Sequence, residues 1–141
     1  MDEQQERLYR ELIETAKEAS LRSYSPYSKF PVGAAVVTSD GSLYSGCNIE
    51  NRSFNISICA ERTAFAKAVS EGKREFKTVA IFSPNGKDCW PCGLCRQFMS
   101  EFGDQIVIVV EAKDGSLISR KLAELIPEHP QAPEKSKIKN A

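Results

Sequence analysis

The sequence has 141 residues, and its 19 basic and 19 acidic side chains cancel to a formal net charge of zero. A chain of this length fits one domain, and its content of 41% hydrophobic and 27% charged residues is typical of soluble globular proteins. The neutral charge argues against a nucleic-acid partner, and no stretch reaches the ~20 apolar residues that cross a bilayer. The polar, acidic N-terminus is unlike a signal peptide, so we expect a cytoplasmic protein without a membrane partner.

The N-terminal third of the chain is predicted to form a helix and a pair of strands. Residues 3–22 carry an apolar stripe at helical spacing, which predicts an amphipathic helix that Ser25-Pro26 ends. Residues 32–37 are apolar on both faces, as expected for a central strand. Ser39-Asp40-Gly41 is typical of a hairpin turn and leads into a second strand at residues 43–47.

The middle of the chain is predicted to form a helix followed by a third strand. Residues 59–71 have the apolar spacing of a helix, which Gly72 would end. We expect Ser57 or Asn55 to cap the start of this helix, because both side chains are good acceptors for its first N–H groups. The apolar segment 78–82 predicts the third strand, before a turn at residues 83–86.

The remaining elements complete an α/β pattern. A helix is predicted over residues 93–102 and a strongly apolar fourth strand over residues 105–110. Asp114-Gly115 then turns the chain into a short fifth strand, and a last helical turn is predicted at residues 122–126. This order predicts an α/β fold of three layers, α/β/α, with a mixed five-stranded sheet between helices.

The C-terminal segment differs in composition from the rest. Three prolines and three lysines lie in the last fifteen residues. We therefore predict one domain over residues 1–127 and a flexible tail over residues 128–141.

Five cysteines indicate metal or thiol chemistry, because an odd number without a secretory signal argues against a disulfide framework. Cys92 and Cys95 form a C-x-x-C pair that can bind one ion, and Cys59 supplies a third sulfur. Three protein ligands leave the fourth tetrahedral position open for water, as in catalytic zinc sites. The spacing predicts one Zn²⁺ per chain on these three residues, with Cys47 and Cys89 as unligated thiols.

Two residues beside Cys59 complete the predicted chemistry. Glu61 lies two positions after a ligand, so its side chain is angled away from the ion. A carboxylate there can take a proton from water and return it to a leaving group, which predicts Glu61 as the catalytic acid–base. Three thiolates and one Zn²⁺ sum to a charge of minus one, and Arg62 is placed to offset part of it.

These residues lie in four motifs that resemble the homotetrameric zinc-dependent cytidine deaminases, with the resemblance covering about residues 5–127. It implies a cytidine-deaminase-like fold and a hydrolase of pyrimidine salvage that converts cytidine or deoxycytidine to uridine or deoxyuridine and ammonia. The motifs are Lys29-Phe30-Pro31-Val32-Gly33-Ala34-Ala35, Gly46-Cys47-Asn48-Ile49-Glu50-Asn51, Cys59-Ala60-Glu61-Arg62-Thr63-Ala64 and Pro91-Cys92-Gly93-Leu94-Cys95-Arg96-Gln97.

The same resemblance implies roles for individual residues. Asn48 and Glu50 resemble the pair that hydrogen-bonds the ribose 3′-hydroxyl, and Phe30 resembles the aromatic residue that packs against the pyrimidine. Ala60 is implied as a substrate-binding position. Arg62 resembles the arginine that donates hydrogen bonds to the ligand thiolates.

The resemblance further implies a homotetramer whose active sites are shared between subunits. Phe54 lies near the implied shared region, where relatives often carry Tyr.

The chain departs from the family pattern at its C-terminal end. Relatives place a phenylalanine shortly after a Leu-Pro pair, and it stacks on the base in another subunit. Here Leu125-Ile126-Pro127 is followed by no aromatic residue except His129. This difference favours an alternative substrate, an N4-substituted cytidine or a cytosine-bearing antibiotic.

Two other classes of function agree less well with the residues. A nucleic-acid editing deaminase would need a basic or aromatic strand-binding segment. A non-catalytic zinc module would have no need of Glu61.

Overall fold

The computed structural model describes residues 1–128, so the predicted tail lies outside the described residues apart from Glu128, and so does His129. Among the described residues, no helix combines the length and the apolar character that a membrane crossing needs. The elements, in chain order, are α1 (Glu3–Ser20), β1 (Gly33–Thr38), β2 (Leu43–Cys47), a short 3₁₀ turn (Phe54–Ile56), α2 (Ala60–Ser70), β3 (Phe76–Phe82), α3 (Gly93–Ser100), β4 (Val107–Glu111), β5 (Leu117–Lys121) and α4 (Leu122–Leu125).

The five strands form one sheet in the order β2-β1-β3-β4-β5. Strands β3 and β4 run parallel, joined by a crossover that contains α3, and the other neighbouring pairs are antiparallel. The predicted mixed five-stranded sheet is therefore confirmed. The N-terminal hairpin also forms as predicted, with Gly41 at a φ of 88° in its turn.

Different helices pack against the two faces of the sheet, because alternate side chains of a strand point to opposite sides. Ala35, Ala80 and Val109 pack with the buried residues of α1. On the other face, Val36, Val79 and Ile108 belong to a cluster that includes Phe65 of α2 and Met99 of α3. The helices thus lie in two layers around the sheet, which confirms the predicted α/β/α architecture.

Glycine at position 46 allows α2 to lie directly against strand β2. A Cβ on Gly46 would lie 2.6 Å from the backbone nitrogen of Ala64 and 2.8 Å from the carbonyl oxygen of Ala60. Separations this short are not tolerated by a real side chain, so this position sets how closely the first turn of α2 approaches the sheet. That turn carries residues 60 and 61 of the predicted site.

The predicted cap of α2 is wrong. Cys59 occupies the N-cap position, and its side chain makes no capping hydrogen bond. The Ser57 hydroxyl instead accepts a hydrogen bond of 3.0 Å from the Asn51 backbone N–H, and Asn55 lies within the 3₁₀ turn. The cap position is thus held by a residue whose sulfur faces two other cysteines.

Several element ends differ from the predicted bounds because tertiary hydrogen bonds compete for the backbone. Strand β4 begins at Val107 rather than 105, since the carbonyl of Ile106 accepts a bond of 2.8 Å from the Leu122 N–H. Helix α1 ends at Ser20 rather than 22, and the following N–H of Tyr24 donates to the carbonyl of Asn48 at 3.1 Å.

Candidate metal centre and active site

Three cysteine sulfurs meet where two helices begin. Cys59 is the N-cap of α2, Cys92 is the N-cap of α3, and Cys95 lies in the first turn of α3. Their Sγ atoms all lie within 4.8 Å of one another. A tetrahedral site with Zn–S bonds of about 2.3 Å places its sulfurs about 3.8 Å apart, so this cluster fits one Zn²⁺. Helix N-termini also favour the thiolate form of such residues.

The cysteine cluster already favours a thiolate at Cys59. A hydrogen bond from the Cys95 thiol, assisted by the Arg62 guanidinium, lowers the pKa of the Cys59 thiol to about 5, although burial opposes the shift. The same hydrogen bond, with burial, raises the pKa of Cys95. Cys59 is therefore the first of these two thiols to ionise, and a metal that binds both sulfurs as thiolates would displace the proton of Cys95.

Arg62 lies beside the cluster on α2. Its Nη2 is 3.7 Å from Sγ of Cys59 and donates a hydrogen bond of 3.1 Å to the carbonyl oxygen of Ser57. Its Nε is buried and has no hydrogen-bond partner among the described residues. The guanidinium thus holds the loop that precedes Cys59 and places a positive charge against a ligand sulfur.

Glu61 is a buried carboxylic acid at the same helix end, with only 4% of its surface exposed. Burial raises the pKa of its carboxyl to about 7, and the neighbouring Cys59 thiolate acts in the same direction. A carboxyl group with a pKa near neutrality can both accept and donate a proton, which is the property that general acid–base catalysis needs.

A cavity of about 380 Å³ opens over the cluster and Glu61. Its volume lies in the range of sites for small organic ligands, and its lining combines apolar side chains with a few polar groups. Of the residues predicted from the sequence, the cavity brings six together, while Glu50, Arg62 and Cys95 lie outside its lining. The six are Phe30, Asn48, Cys59, Ala60, Glu61 and Cys92.

The side chain of Asn48 holds Phe30 in place at one side of this cavity. Its Nδ2 donates to the carbonyl oxygen of Phe30 and its Oδ1 accepts from the Val32 N–H, both at 2.9 Å. The Phe30 ring rests against the turn after β3, because a Cβ on Gly86 would lie 2.7 Å from its Cζ. The aromatic side chain is thereby fixed from both sides.

Glu50 binds backbone rather than facing the cavity. Its Oε1 accepts hydrogen bonds of 3.0 Å and 3.1 Å from the N–H groups of Tyr27 and Ser28. A bond from Ser28 lowers the pKa of this carboxyl. Glu50 is therefore an ionised acceptor at the edge of the segment that carries Phe30.

Besides Val32 and Ile81, four consecutive lining residues were not assigned to the site from the sequence, namely Lys87, Asp88, Cys89 and Trp90. They form the loop between β3 and the ligand Cys92. Cys89 is a free thiol, as is Cys47, and burial raises the pKa of Cys89. One feature of the sequence could have identified Trp90 as a site residue. It lies directly before Pro91-Cys92, and a neighbour of a metal ligand cannot lie far from the site.

Comparison with known proteins places these features in a family. The model of the cytidine and deoxycytidylate deaminase zinc-binding region matches residues 5–111. A cytidine deaminase of Sporosarcina psychrophila is 47% identical over 82% of this chain and 86% of its own length. The blasticidin-S deaminase of Bacillus cereus is 34% identical over 83% of this chain and 88% of its own length.

A solved structure is similar over nearly the whole fold. The crystal structure of cytidine deaminase from Burkholderia pseudomallei superposes with a TM-score of 0.79 at 41% sequence identity. The match covers 84% of this chain and 96% of that chain.

Proposed function

This chain belongs to the cytidine and deoxycytidylate deaminase zinc-binding family, and we propose that it deaminates free cytidine and deoxycytidine by hydrolysis. In this reaction an oxygen from water bonds to C4 of the base, and the bond from C4 to the amino nitrogen breaks. The products are ammonia and uridine or deoxyuridine. The observation that carries the proposal is the buried Glu61 carboxyl, which lines one cavity together with Cys59 and Cys92.

One Zn²⁺ per chain is the cofactor of this enzyme, and Cys59, Cys92 and Cys95 would hold it. When it is bound, the ion supplies Lewis-acid activation of the attacking water. The positive charge of Arg62, 3.7 Å from Sγ of Cys59, offsets part of the negative charge of three thiolates.

Glu61 moves the protons in the proposed reaction. In its ionised form the carboxylate accepts a proton from the attacking water, and in its protonated form it donates that proton to N3 of the base. It then carries the second water proton to the amino nitrogen, which leaves as ammonia. Burial raises the pKa of this carboxyl, which makes it a stronger base for the first of these transfers. Its burial also keeps the transferred proton from bulk water.

The substrate contacts are proposed on the same cavity. Phe30 supplies an aromatic surface for the pyrimidine, and Asn48 lies beside it as a hydrogen-bonding group. Ala60 is the first residue of α2, where helix N–H groups lack an intrahelical partner, so its N–H can donate to an oxygen of the base. Glu50 lies outside the cavity lining, and its Oε1 is engaged by two N–H groups, so its Oε2 is the oxygen left for a sugar hydroxyl that extends beyond the cavity.

We also propose that the chain forms a homotetramer with shared active sites. Isolated backbone β-bridges pair Tyr24 with Ile49 and Ile49 with Ile58. The ring centroids of Tyr27 and Phe54 lie 5.7 Å apart. All five side chains are exposed, Phe54 by 72%. A contiguous apolar patch of this kind marks an interaction surface, and Tyr27 contacts Glu50 at the edge of the site.

The proposed self-association is tested by replacing one residue of the patch. Phe54→Asp should lower the mass measured by light scattering below that of a tetramer, because a charge would be buried in the interface. Leu43→Asp is the matched control, since Leu43 is 50% exposed on the edge strand outside the patch. A parent protein that is monomeric at micromolar concentration would contradict the proposal.

A place in pyrimidine salvage within the cytoplasm is consistent with this chemistry. All five cysteines are free thiols in the structure. Unpaired cysteines are typical of compartments that keep thiols reduced, as the cytosol does.

Ammonia release from cytidine by the zinc-loaded protein tests the proposed function. The likeness to a blasticidin-S deaminase favours one alternative, a modified cytosine nucleoside, so the enzyme should also be assayed on blasticidin S, which would release ammonia, and on N4-methylcytidine, which would release methylamine. Higher kcat/KM for cytidine or deoxycytidine than for either analogue supports the proposal. Release of ammonia from blasticidin S or of methylamine from N4-methylcytidine, without any turnover of cytidine or deoxycytidine, would replace it with the alternative.

A further inference from the structure

Two aromatic side chains line the cavity over the metal cluster, and the sequence-based assignment included only one of them. Phe30 is the first, and Trp90 is the second. Trp90 is half-buried and packs against the core cluster that contains Phe65 and Met99. It is also the only tryptophan in the chain. The large apolar surface of an indole at a ligand cavity calls for an explanation beyond core packing.

The loop that carries Trp90 is held by a series of local contacts. The Trp90 N–H donates to the carbonyl oxygen of Asp88 at 2.7 Å, and the Asp88 N–H donates to the carbonyl oxygen of Glu111 at 3.0 Å. Lys87 forms an ion pair with the Glu111 side chain. Asp88 adopts a left-handed φ of 54°, which reverses the chain just before Trp90. The loop is thus tied to strand β4 at two points.

The position of Trp90 in the chain places it close to the reacting centre. It precedes the ligand Cys92 by two residues, and it lines the same cavity as the Glu61 carboxyl. A pyrimidine base is flat and aromatic, and tryptophan offers the largest surface for stacking on such a ring. Indole rings in single-strand binding proteins recognise bases in this way without reading their hydrogen-bonding edges.

We propose that Trp90 contacts the pyrimidine ring and, with Phe30, encloses it in the site. The inference rests on the proposed function, because it takes a cytosine nucleoside as the ligand. It assigns to a residue of the same chain an aromatic contact that the family pattern places in the C-terminal segment. Trp90 is then a specificity-determining residue that favours flat bases and limits the space around the ring.

Intrinsic fluorescence gives a direct readout, because the sole tryptophan is the proposed contact. Zinc-loaded Glu61→Gln, which binds cytidine without consuming it, is titrated with cytidine while the heat of binding is measured in parallel. The tryptophan emission should change saturably, with the midpoint that calorimetry gives. Measurable heat of binding without any change in emission would overturn the inference.

Steady-state kinetics separates a contact with the base from a purely structural role. Trp90→Ala should raise KM for cytidine roughly 5- to 150-fold, the range expected for loss of one base–aromatic stack. Trp90→Phe keeps an aromatic ring, so its KM for cytidine should lie within about fivefold of the parent value. Leu43→Ala is the control for loss of an apolar side chain outside the cavity, and should leave KM unchanged.

The zinc content and melting temperature of the Trp90 variants show whether Trp90 acts by supporting its loop. If Trp90 only supported the loop, Trp90→Ala would lose zinc and stability, and the remaining holoenzyme would keep the parental KM. That outcome, or a KM within twofold of the parent for both variants, overturns the inference. If the parent releases ammonia from cytidine but substitutions of Trp90 do not change KM, only the inference about Trp90 fails and the proposed function stands. If the parent does not act on cytidine, both the proposed function and the role of Trp90 are refuted.

Discussion

Nη2 of Arg62 lies 3.7 Å from Sγ of Cys59, and the same nitrogen donates to the carbonyl oxygen of Ser57. One side chain therefore neutralises a ligand sulfur and also fixes the loop that delivers it. This arrangement links the charge of the metal site to the geometry of the chain before α2.

Arg62→Gln should weaken both functions of that guanidinium. Partners that orient metal ligands typically contribute 10- to 100-fold in metal affinity or activity, so we expect a loss of about that size in kcat or in zinc retention. The measurement is kcat together with the rate of zinc transfer to a chelator. Arg7→Gln, on an exposed face of α1, is the matched control. Equal kcat and zinc retention in the two variants would show that Arg62 does not support the site.

Arg96 ties the second ligand loop to the C-terminal helix. Its Nε donates to the carbonyl oxygen of Pro91 and its Nη1 to that of Leu125, both at 2.7 Å. Arg96→Ala should lower the free energy of unfolding by about 2–3 kcal/mol, because hydrogen bonds from a charged group to partly buried carbonyls are among the stronger ones. Chemical denaturation checks this value. Arg120→Ala removes an exposed arginine that bonds only the neighbouring Ser119 carbonyl, and a similar loss there would contradict the account.

Gly33→Ala and Gly46→Ala should separate stability from activity. A Cβ at either position would lie within 2.6 Å of helix backbone, next to α1 for Gly33 and next to α2 for Gly46. Both changes should destabilise the fold by about 1–3 kcal/mol through overpacking. Only Gly46→Ala should also lower kcat well below the parent at a temperature where both variants are folded, since α2 carries Glu61. Equal kcat values would mean that the close approach at Gly46 does not position the site.

Asp40 provides a pH-dependent contribution to stability that is remote from the site. Hydrogen bonds from Lys73, Thr38 and Ser42 hold the pKa of its carboxyl well below the ordinary value of 3.8. A pKa that is lower in the folded state stabilises the protein above the unfolded pKa, and this stabilisation is lost as the pH falls below it. Asp40→Asn should therefore be less stable than the parent at pH 7, with the difference shrinking below about pH 4. Denaturation midpoints at both pH values check this, and a difference that grows in acid would contradict it.

The metal cluster was predictable from the sequence because ligand spacing is local. The two sulfurs of Cys92-x-x-Cys95 lie in one helical turn wherever that helix is placed, and only the partner Cys59 required tertiary structure. Strand segments that are apolar on both faces likewise predicted a sheet that helices cover on both sides.

The cap of α2 was not predictable, and the loop that carries Trp90 was only partly so, because both depend on contacts between distant segments. The one local signal for Trp90 was its position two residues before Cys92. Ser57 is a good cap by type, yet the Asn51 N–H binds its hydroxyl. Trp90 reaches the cavity because the Asp88 N–H donates a hydrogen bond to the carbonyl oxygen of Glu111 on β4. The spacing of apolar residues in the sequence does not predict this hydrogen bond. Glu50 illustrates the same limit, since its carboxylate binds two backbone N–H groups that its motif alone did not identify.

In the proposed reaction the buried Glu61 carboxyl moves protons during cytidine deamination at a cysteine-held zinc. Ammonia release from cytidine, compared between the parent and Glu61→Gln at matched zinc content, measures this role. The amide keeps the size of the side chain but cannot accept a proton, so we expect one zinc per chain in both proteins and a rate at least about 10²- to 10⁴-fold lower in the variant. A zinc-loaded Glu61→Gln protein that works within a few-fold of the parent rate would contradict the account.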